Sequence, residues 1–143
     1  MKILLTIIFL STLLFSCIEQ TSIPFSFSPY DQWRSYNIHN YTIEQIRHCY
    51  CVNRGQGMKI TIKSDSIYSV MRLSDLTLLP YSDFKQYLNI ESLFGIIKNS
   101  KTDSLIISYD SKYGYPNKLD INPQLIPRDL GLTYTTSNLQ ITK

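Results

Sequence analysis

The sequence predicts an α+β domain, in which an antiparallel sheet of about five or six strands carries one or two helices packed on one face. Two observations lead to this prediction. Helical and strand patterns follow one another as helix, strands, helix, strands, and turn signals join neighbouring strands as hairpins without βαβ alternation. The 143-residue chain also contains 11 tyrosines and frequent Ile, Ser and Thr, a composition that favours β structure.

The first predicted helix begins at Pro29. Ser28 is a candidate N-cap, proline suits the first helical position, and Asp31 suits the positive end of a helix. We expect this helix to continue through Trp33 and to end near residues 39–40.

Alternation of apolar and polar residues predicts the first group of strands. The clearest strand places Met58, Ile60 and Ile62 on one face and polar residues on the other. The segments predicted around it are a strand at residues 41–52, a turn at 54–57, a turn at 64–66, a strand at 67–73 and a surface loop at 74–88.

The second predicted helix begins at Ile90, after Asn89 as N-cap, and ends near Lys98. Its apolar residues recur at the three- and four-residue spacing of one buried stripe. Leu88 and Leu93 form a candidate hydrophobic staple. The segments predicted after it are a strand carrying Leu105, Ile107 and Tyr109, a turn at 111–117, a strand carrying Leu119 and Ile121, and a last strand at 132–141.

The N-terminus has the pattern of a secretory signal. Lys2 precedes an apolar run at residues 3–15, which is shorter than the roughly 20 residues that a transmembrane helix needs. The run ends in Leu14-Phe15-Ser16-Cys17, which resembles the lipobox of bacterial lipoproteins.

The lipobox resemblance implies a location. In bacterial lipoproteins the cysteine thiol takes a diacylglycerol, the chain is cleaved before it, and the new amine often receives a further fatty acid such as palmitate. We therefore expect a signal peptide at residues 1–16, a lipidated N-terminus and tether at 17–28, and a single α+β domain at 29–143. Lipid on Cys17 would anchor the protein to a membrane of the bacterial cell envelope, because more than one acyl chain gives stable attachment.

Composition and motifs argue against several function classes. A formal net charge of +3 without a basic run gives no electrostatic footprint for nucleic acid. The chain has no Gly-x-Ser-x-Gly elbow and no Gly-x-x-x-x-Gly-Lys loop, and its carboxylates are scattered. We therefore predict a non-catalytic protein with no cofactor, no bound metal and no nucleic-acid partner.

Cys49 and Cys51 allow three interpretations. On a strand they would share a face, with Cα atoms near the upper limit for a disulfide, so a bridge would need local distortion. A structural disulfide, free thiols with redox activity, and metal binding together with His48 all remain open. The metal interpretation lacks ligands, since a structural zinc site takes four and His39 is the only other histidine.

A tyrosine-rich segment near residue 114 has two interpretations. Tyr109, Tyr113 and Tyr115 could form an aromatic binding surface with Asp110 as its polar group. Alternatively the segment is a hairpin turn in which Gly114 takes a backbone angle that other residues avoid.

Five short motifs resemble, in their order, a family of small secreted or lipid-anchored bacterial proteins known only as a domain of unknown function. They are Trp33, Cys49-Tyr50-Cys51, Leu93-Phe94, Tyr109-Asp110 and Tyr113-Gly114-Tyr115-Pro116. The resemblance covers the chain from Trp33 to the C-terminus, and Tyr-Asp-x-x-Tyr-Gly-Tyr-Pro is its most specific part. The acidic residues expected after the next strand are reduced here to Asp129 beside Arg128. The resemblance therefore implies an architecture and no mechanism.

These observations favour a membrane-anchored lipoprotein that acts as a non-catalytic binding or structural module of the envelope. Its expected partner is an envelope protein, a peptide or a cell-wall component. The alternative is a thiol–disulfide or metal-binding envelope protein that uses Cys49 and Cys51.

Overall fold

The fold is a six-stranded antiparallel sheet with short helices, which confirms the predicted α+β class. The computed structural model describes residues 28–101, 104–123 and 131–142. Its elements in chain order are α1 (Pro29–Ser35), β1 (Tyr41–His48), β2 (Gly57–Lys63), β3 (Ser66–Arg72), a 3-10 helix (Tyr81–Gln86), α2 (Ile90–Asn99), β4 (Leu105–Tyr109), β5 (Pro116–Ile121) and β6 (Leu132–Ile141).

The strand order across the sheet is β3-β2-β1-β6-β5-β4. The first and the last strand of the chain are therefore neighbours at the centre of the sheet. This arrangement brings distant residues together, since His48 on β1 pairs with Thr133 on β6, which pairs with Asp120 on β5. Residues in directly opposed positions of neighbouring strands point to the same face. These three side chains therefore form a row across the sheet.

Helix α1 begins where the sequence predicts and ends earlier. The Asp31 N–H donates to Ser28 Oγ at 3.2 Å, which confirms Ser28 as the N-cap. The helix ends at Ser35 instead of continuing to residues 39–40. The N–H of Asn37 donates to Arg34 O three residues back, and Asn37 itself takes a φ of 51°. A left-handed residue cannot continue a right-handed helix, so the chain turns there towards β1.

The hydrophobic core lies between the helices and one face of the sheet. Met58, Ile60 and Ile62 are fully buried on this face, as their alternation predicts. Helix α1 contributes Trp33, whose ring meets that of Tyr41 at a centroid distance of 5.6 Å. The buried residues of α2 are Ile90, Leu93 and Phe94. We call this face the helix-covered face and the opposite one the second face.

Polar side chains of β1 attach residues 86–90 to the helix-covered face. Tyr41 Oη accepts a hydrogen bond from the Ile90 N–H at 3.0 Å. The buried amide of Gln45 accepts from Leu88 N–H and donates to Leu88 O, both at 3.2 Å. Arg47 donates from Nη1 to Gln86 O. These side chains replace the strand partner that this extended segment lacks, and they set the position from which α2 begins.

Three further boundaries differ from the sequence-based expectation. Strand β1 ends at His48 instead of continuing to Val52, because the chain bends at Cys49. The predicted loop at residues 74–88 contains a 3-10 helix. Strand β5 begins at Pro116, inside the predicted turn, because Pro116 pairs with Tyr109 across a shift in register.

Candidate functional site

The disulfide loop, residues 49–56, connects β1 to β2. Asn53 and Gly55 take φ values of 62° and 70°, which reverse the chain, and the Gly55 N–H closes the loop by donating to Arg47 O at 2.8 Å. Cys49 and Cys51 sit at disulfide-bonding distance, with Cα atoms 5.3 Å apart. This separation lies inside the range of about 4.4–6.8 Å seen in disulfides. Both residues lie beyond the end of β1, where the chain bends away from strand geometry.

Arg47 lies beneath this loop on the helix-covered face. Its side chain is 6% exposed. Nη2 donates to Gln86 Oε1 at 2.9 Å and to Val52 O at 3.2 Å, and it lies 3.4 Å from Cys51 Sγ. The guanidinium also lies over the Tyr87 ring, 4.8 Å from its centroid. Arg47 therefore joins the loop to the segment that leads into α2.

The charge of Arg47 has no carboxylate partner in the part of the chain that the structure describes. Salt bridges there join His39 to Asp65, Arg72 to Asp75 and Lys118 to Asp120. The contacts of Arg47 are neutral oxygens, a sulfur and an aromatic ring, and its Nε has no hydrogen-bond partner among the described residues. A buried cation without a counter-ion is costly, and a nearby negative charge would stabilise it.

A pocket of about 470 Å³ opens on the second face of the sheet beside the disulfide loop. Its floor comes from neighbouring strands, with His48 on β1, Thr133 and Thr135 on β6, and Lys118 and Asp120 on β5. Alternation along each strand places these residues opposite the buried Arg47, Tyr134 and Leu119. The rest of its lining is Cys49, Tyr50, Arg54, Ile121, Asn122, Pro123, Gly131 and Leu132. We call this cavity the second-face pocket.

The electrostatics of the second-face pocket are dominated by basic groups. Lys118 Nζ lies 2.9 Å from Asp120 Oδ2. Burial acts to raise the pKa of Asp120, but hydrogen bonds from Thr133 and Lys118 and the nearby His48 outweigh it and hold that pKa below its ordinary value. The carboxylate is therefore ionised at neutral pH and engaged by Lys118. Arg54 and His48 are further basic residues in the pocket lining.

The tip of the disulfide loop exposes apolar surface. Tyr50 is 81% exposed and Val52 is 69% exposed. Together with Cys51 and Arg54 they line a shallow cleft of about 430 Å³. Large exposed apolar side chains that lie side by side mark surfaces that contact other molecules more often than isolated ones do.

Three of the four residues of the predicted aromatic surface lie in the β4–β5 connection, and Tyr109 is the last residue of β4. Tyr115 is buried with its ring 6.4 Å from that of Trp33, and the half-buried Tyr109 stacks on Phe94 at 6.3 Å. Burial raises the pKa of both hydroxyls above the ordinary tyrosine value.

Asp110 and Tyr113 complete this connection. Asp110 Oδ1 accepts from the N–H groups of Lys112 and Tyr113 at 3.0 and 2.7 Å. The Tyr113 ring lies 5.0 Å from that of Tyr36. These contacts give the segment a structural role in holding α1. Gly114 takes a φ of 77°, the kind of angle that the hairpin interpretation expects. Ligand binding by the same residues stays a prediction.

A separate cluster of polar side chains lies between the end of α1 and the turn after β2. His39 Nδ1 lies 2.7 Å from Asp65 Oδ2, and His39 Nε2 lies 3.1 Å from Asn37 Oδ1. Glu91 accepts hydrogen bonds from Trp33 Nε1 and the Tyr30 hydroxyl nearby. Both nitrogens of the His39 ring therefore lie within hydrogen-bonding distance of side-chain oxygens.

Some of the sequence-based predictions concern residues that lie outside the ranges that the structure describes. Cys17, the proposed lipidation site, lies outside the described residues, as do Arg128 and Asp129. Among the described residues there is no group of three or more His, Cys, Asp or Glu side chains placed to hold a metal ion. In the same ranges no helix is long and apolar enough to cross a membrane.

Arg47, Arg54, Lys118 and Asp120 were not singled out as site residues in the sequence. A signal for Arg47 existed, because it continues the alternation of Tyr41, Ile43 and Gln45 along the buried face of β1. No comparable local signal joins Lys118 and Asp120 to His48. Their proximity depends on β6 lying between β1 and β5, and this strand order is a property of the whole chain.

Comparison with known proteins yields one family. A family model described as "Family of unknown function (DUF6174)" matches residues 29–141. No curated protein and no solved structure matches the chain. The match confirms the predicted resemblance to a family of unknown function and covers the region from Trp33 onwards on which that prediction rested.

Proposed function

The chain belongs to the DUF6174 family of unknown function, and from that premise we propose that it is a lipid-anchored binding protein of the bacterial cell envelope. Its domain binds an acidic peptide segment in the second-face pocket and catalyses no reaction on that ligand. The partner is an envelope protein or peptide that presents this segment.

The anchor part of the proposal is supported by the N-terminal sequence. A basic start, an apolar run of signal-peptide length and Leu14-Phe15-Ser16-Cys17 occur in the order that lipoprotein export requires. A tether of about ten residues between Cys17 and Ser28 would let the domain reach a partner near the membrane surface, because an extended chain spans about 3.3–3.6 Å per residue.

The second-face pocket is the observation that carries the binding part. Its volume of about 470 Å³ falls in the range of about 300–1,000 Å³ typical of ligand sites. The described helices pack on the opposite face, so the sheet itself forms a rigid floor. Rigid floors favour affinity, because less conformational freedom is lost when a ligand binds.

The charge of the pocket selects the ligand class. Lys118 is neutralised by Asp120, whereas Arg54 and His48 have no carboxylate partner among the described salt bridges. The hydroxyls of Thr133 and Thr135 supply further polar groups on the floor. An incoming carboxylate would gain a charge-assisted hydrogen bond from Arg54, which is stronger than a bond between neutral groups.

Calorimetric titration with a short acidic peptide tests this proposal. We expect Arg54→Gln to weaken binding about three- to tenfold, since one exposed charge contributes on the order of 1 kcal/mol. Arg34→Gln is the matched control, because it makes the same change on α1, across the sheet from the pocket. Equal affinity for the acidic peptide and its neutral amide, or an equal loss in both variants, would refute the proposed site.

A further inference from the structure

We propose that the Cys49–Cys51 disulfide exchanges with thiols, with Cys49 as the sulfur that is attacked and Cys51 as the sulfur that leaves. The partner is a protein or peptide that carries two thiols and becomes oxidised. This activity goes beyond peptide binding in the second-face pocket and can fail or hold independently of it.

The position of Arg47 identifies the leaving sulfur. In thiol–disulfide exchange the sulfur whose thiol has the lower pKa leaves faster. Arg47 Nη2 lies 3.4 Å from Cys51 Sγ, and a cation at that distance favours a thiolate. The other contacts of Arg47, to Gln86 Oε1 and Val52 O, hold the guanidinium in place without the disulfide. The donor is therefore already in position when the bond breaks.

The charge balance of Arg47 also favours reduction of the disulfide. The oxidised protein buries this cation among neutral groups in the described part of the chain, whereas the reduced protein would place a thiolate beside it. Reduction therefore creates a charge pair that the described residues of the oxidised protein lack. A disulfide whose reduced form is stabilised in this way is a stronger oxidant.

The surroundings of the disulfide give a thiol partner a place to bind. Cys49 lines the second-face pocket, which is open to solvent on the side of the sheet away from the helices. Tyr50 and Val52 flank Cys51 in the sequence, and both are exposed apolar side chains that line a cleft together with it. A peptide that contacts this tip would bring its own thiol to Cys49 from the pocket side.

The exchange proceeds in two balanced steps. A partner thiolate attacks Cys49 Sγ, the bond to Cys51 Sγ breaks, and the electron pair leaves on Cys51 as a thiolate beside Arg47. The second partner thiolate then attacks the partner sulfur of this mixed disulfide, forms the partner's own disulfide and releases Cys49, which takes up a proton. The partner loses two electrons, and the cysteine pair gains them.

The site of attack can be mapped directly. The oxidised protein would be exposed briefly to glutathione, alkylated, and fragmented by tandem mass spectrometry. We expect glutathione on Cys49 and the alkyl group on Cys51 in at least tenfold excess over the reverse arrangement. An equal distribution, an excess on Cys51, or a disulfide that glutathione leaves intact in the folded protein would overturn the proposal.

Single-cysteine variants provide a matched comparison. Cys49→Ser leaves Cys51 beside Arg47, and Cys51→Ser leaves Cys49 in the same loop. We expect Cys51 to react with iodoacetamide at a pH well below the ordinary cysteine pKa of about 8.5, and Cys49 to react near that value. Identical pH profiles would contradict the role of Arg47.

Arg47→Gln in the Cys49→Ser protein tests the cation itself. The pH profile of Cys51 alkylation should then move up to the ordinary range, and circular dichroism would establish that the sheet is retained. An unmoved profile in a folded variant would overturn the assignment. If this variant unfolds, glutathione mapping and the single-cysteine comparison still decide the proposal. Cys51→Ser lacks the exchanging disulfide and leaves every residue that lines the second-face pocket unchanged, so acidic-peptide titration of this variant distinguishes the two proposals.

Discussion

Gly114 lies where the β4–β5 connection meets the first turn of α1. Its φ is 77°, in the left-handed region that favours glycine, and its N–H donates to Asp110 O at 2.9 Å. A Cβ at this position would lie 2.5 Å from Pro29 O, a backbone atom that cannot move away without shifting the helix. The most specific motif of the sequence thus includes a residue that is required for close packing.

Gly114→Ala should lower the free energy of unfolding by about 2–4 kcal/mol, because it adds backbone strain to a steric clash. Gly95→Ala is the matched control on α2, where an added Cβ meets no atom within 4 Å. The control should raise stability by up to about 1 kcal/mol through helix propensity. Urea denaturation measures both changes, and a Gly114→Ala protein as stable as the wild type would contradict the described packing.

Tyr41 and Tyr87 are both buried tyrosines, and their hydroxyls are used differently. Tyr41 Oη accepts the Ile90 N–H at the start of α2, and burial raises its pKa well above the ordinary value, so the hydroxyl stays neutral. The hydroxyl of Tyr87 has no hydrogen-bond partner among the described residues.

Tyr41→Phe should therefore destabilise the protein by about 1–3 kcal/mol, the cost of leaving a buried N–H unsatisfied. Tyr87→Phe keeps the ring beneath Arg47 and removes an unsatisfied group, so its stability should be unchanged or slightly higher. Thermal and urea midpoints of the two variants provide the comparison. A larger loss for Tyr87→Phe than for Tyr41→Phe would reverse the roles that we assign to these hydroxyls.

At the scale of elements, strand β1 organises the molecule. Its helix-covered face holds residues 86–90 through Tyr41, Gln45 and Arg47, and its second face carries His48 into the pocket. The disulfide loop follows directly from its end. One strand therefore connects the core, the pocket and the cysteine pair.

The row of His48, Thr133 and Asp120, which crosses β1, β6 and β5, predicts that the stability of the protein depends on pH. The pKa of Asp120 lies below its ordinary value, so the folded protein binds its proton less readily than the unfolded chain, whose aspartate pKa is about 3.9. The carboxylate therefore adds stability above pH of about 4, and this contribution is lost as the pH falls through the lower folded-state pKa.

Asp120→Asn should accordingly destabilise the protein at pH 7, and the difference from the wild type should shrink as the pH falls below about 4. Asp83→Asn, on the exposed 3-10 helix, is a control with the same chemical change. Urea midpoints across this pH range measure the effect. A difference that stays constant down to pH 2 would show that Asp120 acts through packing and not through its charge.

Local sequence patterns predicted most of the helices and strands. They predicted fewer of the residues at which these elements end. The caps Ser28 and Asn89 and the alternation of Met58, Ile60 and Ile62 are local signals, and the structure confirms all of them. The end of α1 and the end of β1 depend on backbone angles at Asn37 and in the disulfide loop, which periodicity does not report.

The candidate site was predictable only in part. Cys49 and Cys51 are two positions apart in the sequence, so their pairing could be anticipated from local spacing. The second-face pocket combines His48 with residues from Lys118 to Thr135, about 70 to 87 positions later in the chain. Only the strand order β1-β6-β5 brings them together. Long-range pairing of this kind leaves no local pattern for sequence analysis to detect.

At the scale of the whole molecule, the proposed tether would lead from the lipid on Cys17 to the domain that begins at residue 28. Helix α1 starts at Pro29 and is held against the β4–β5 connection through Gln32, whose Nε2 donates to Ser111 O and Lys112 O. A tether that ends at this helix would attach the domain through a fixed point. The pocket lies on the opposite face of the sheet from this helix and would remain open to a partner.

The most direct test of this account is lipid attachment at Cys17. Cells expressing the full-length protein would be fed labelled palmitate and fractionated, and Cys17→Ser would be compared with Cys51→Ser, which makes the same change at a cysteine in the folded domain. We expect wild-type protein and Cys51→Ser to carry label and to sediment with membranes, and Cys17→Ser to lose the label. Equal labelling of the Cys17→Ser protein, or wild-type protein without label in the soluble fraction, would contradict the proposal of a lipid-anchored envelope protein.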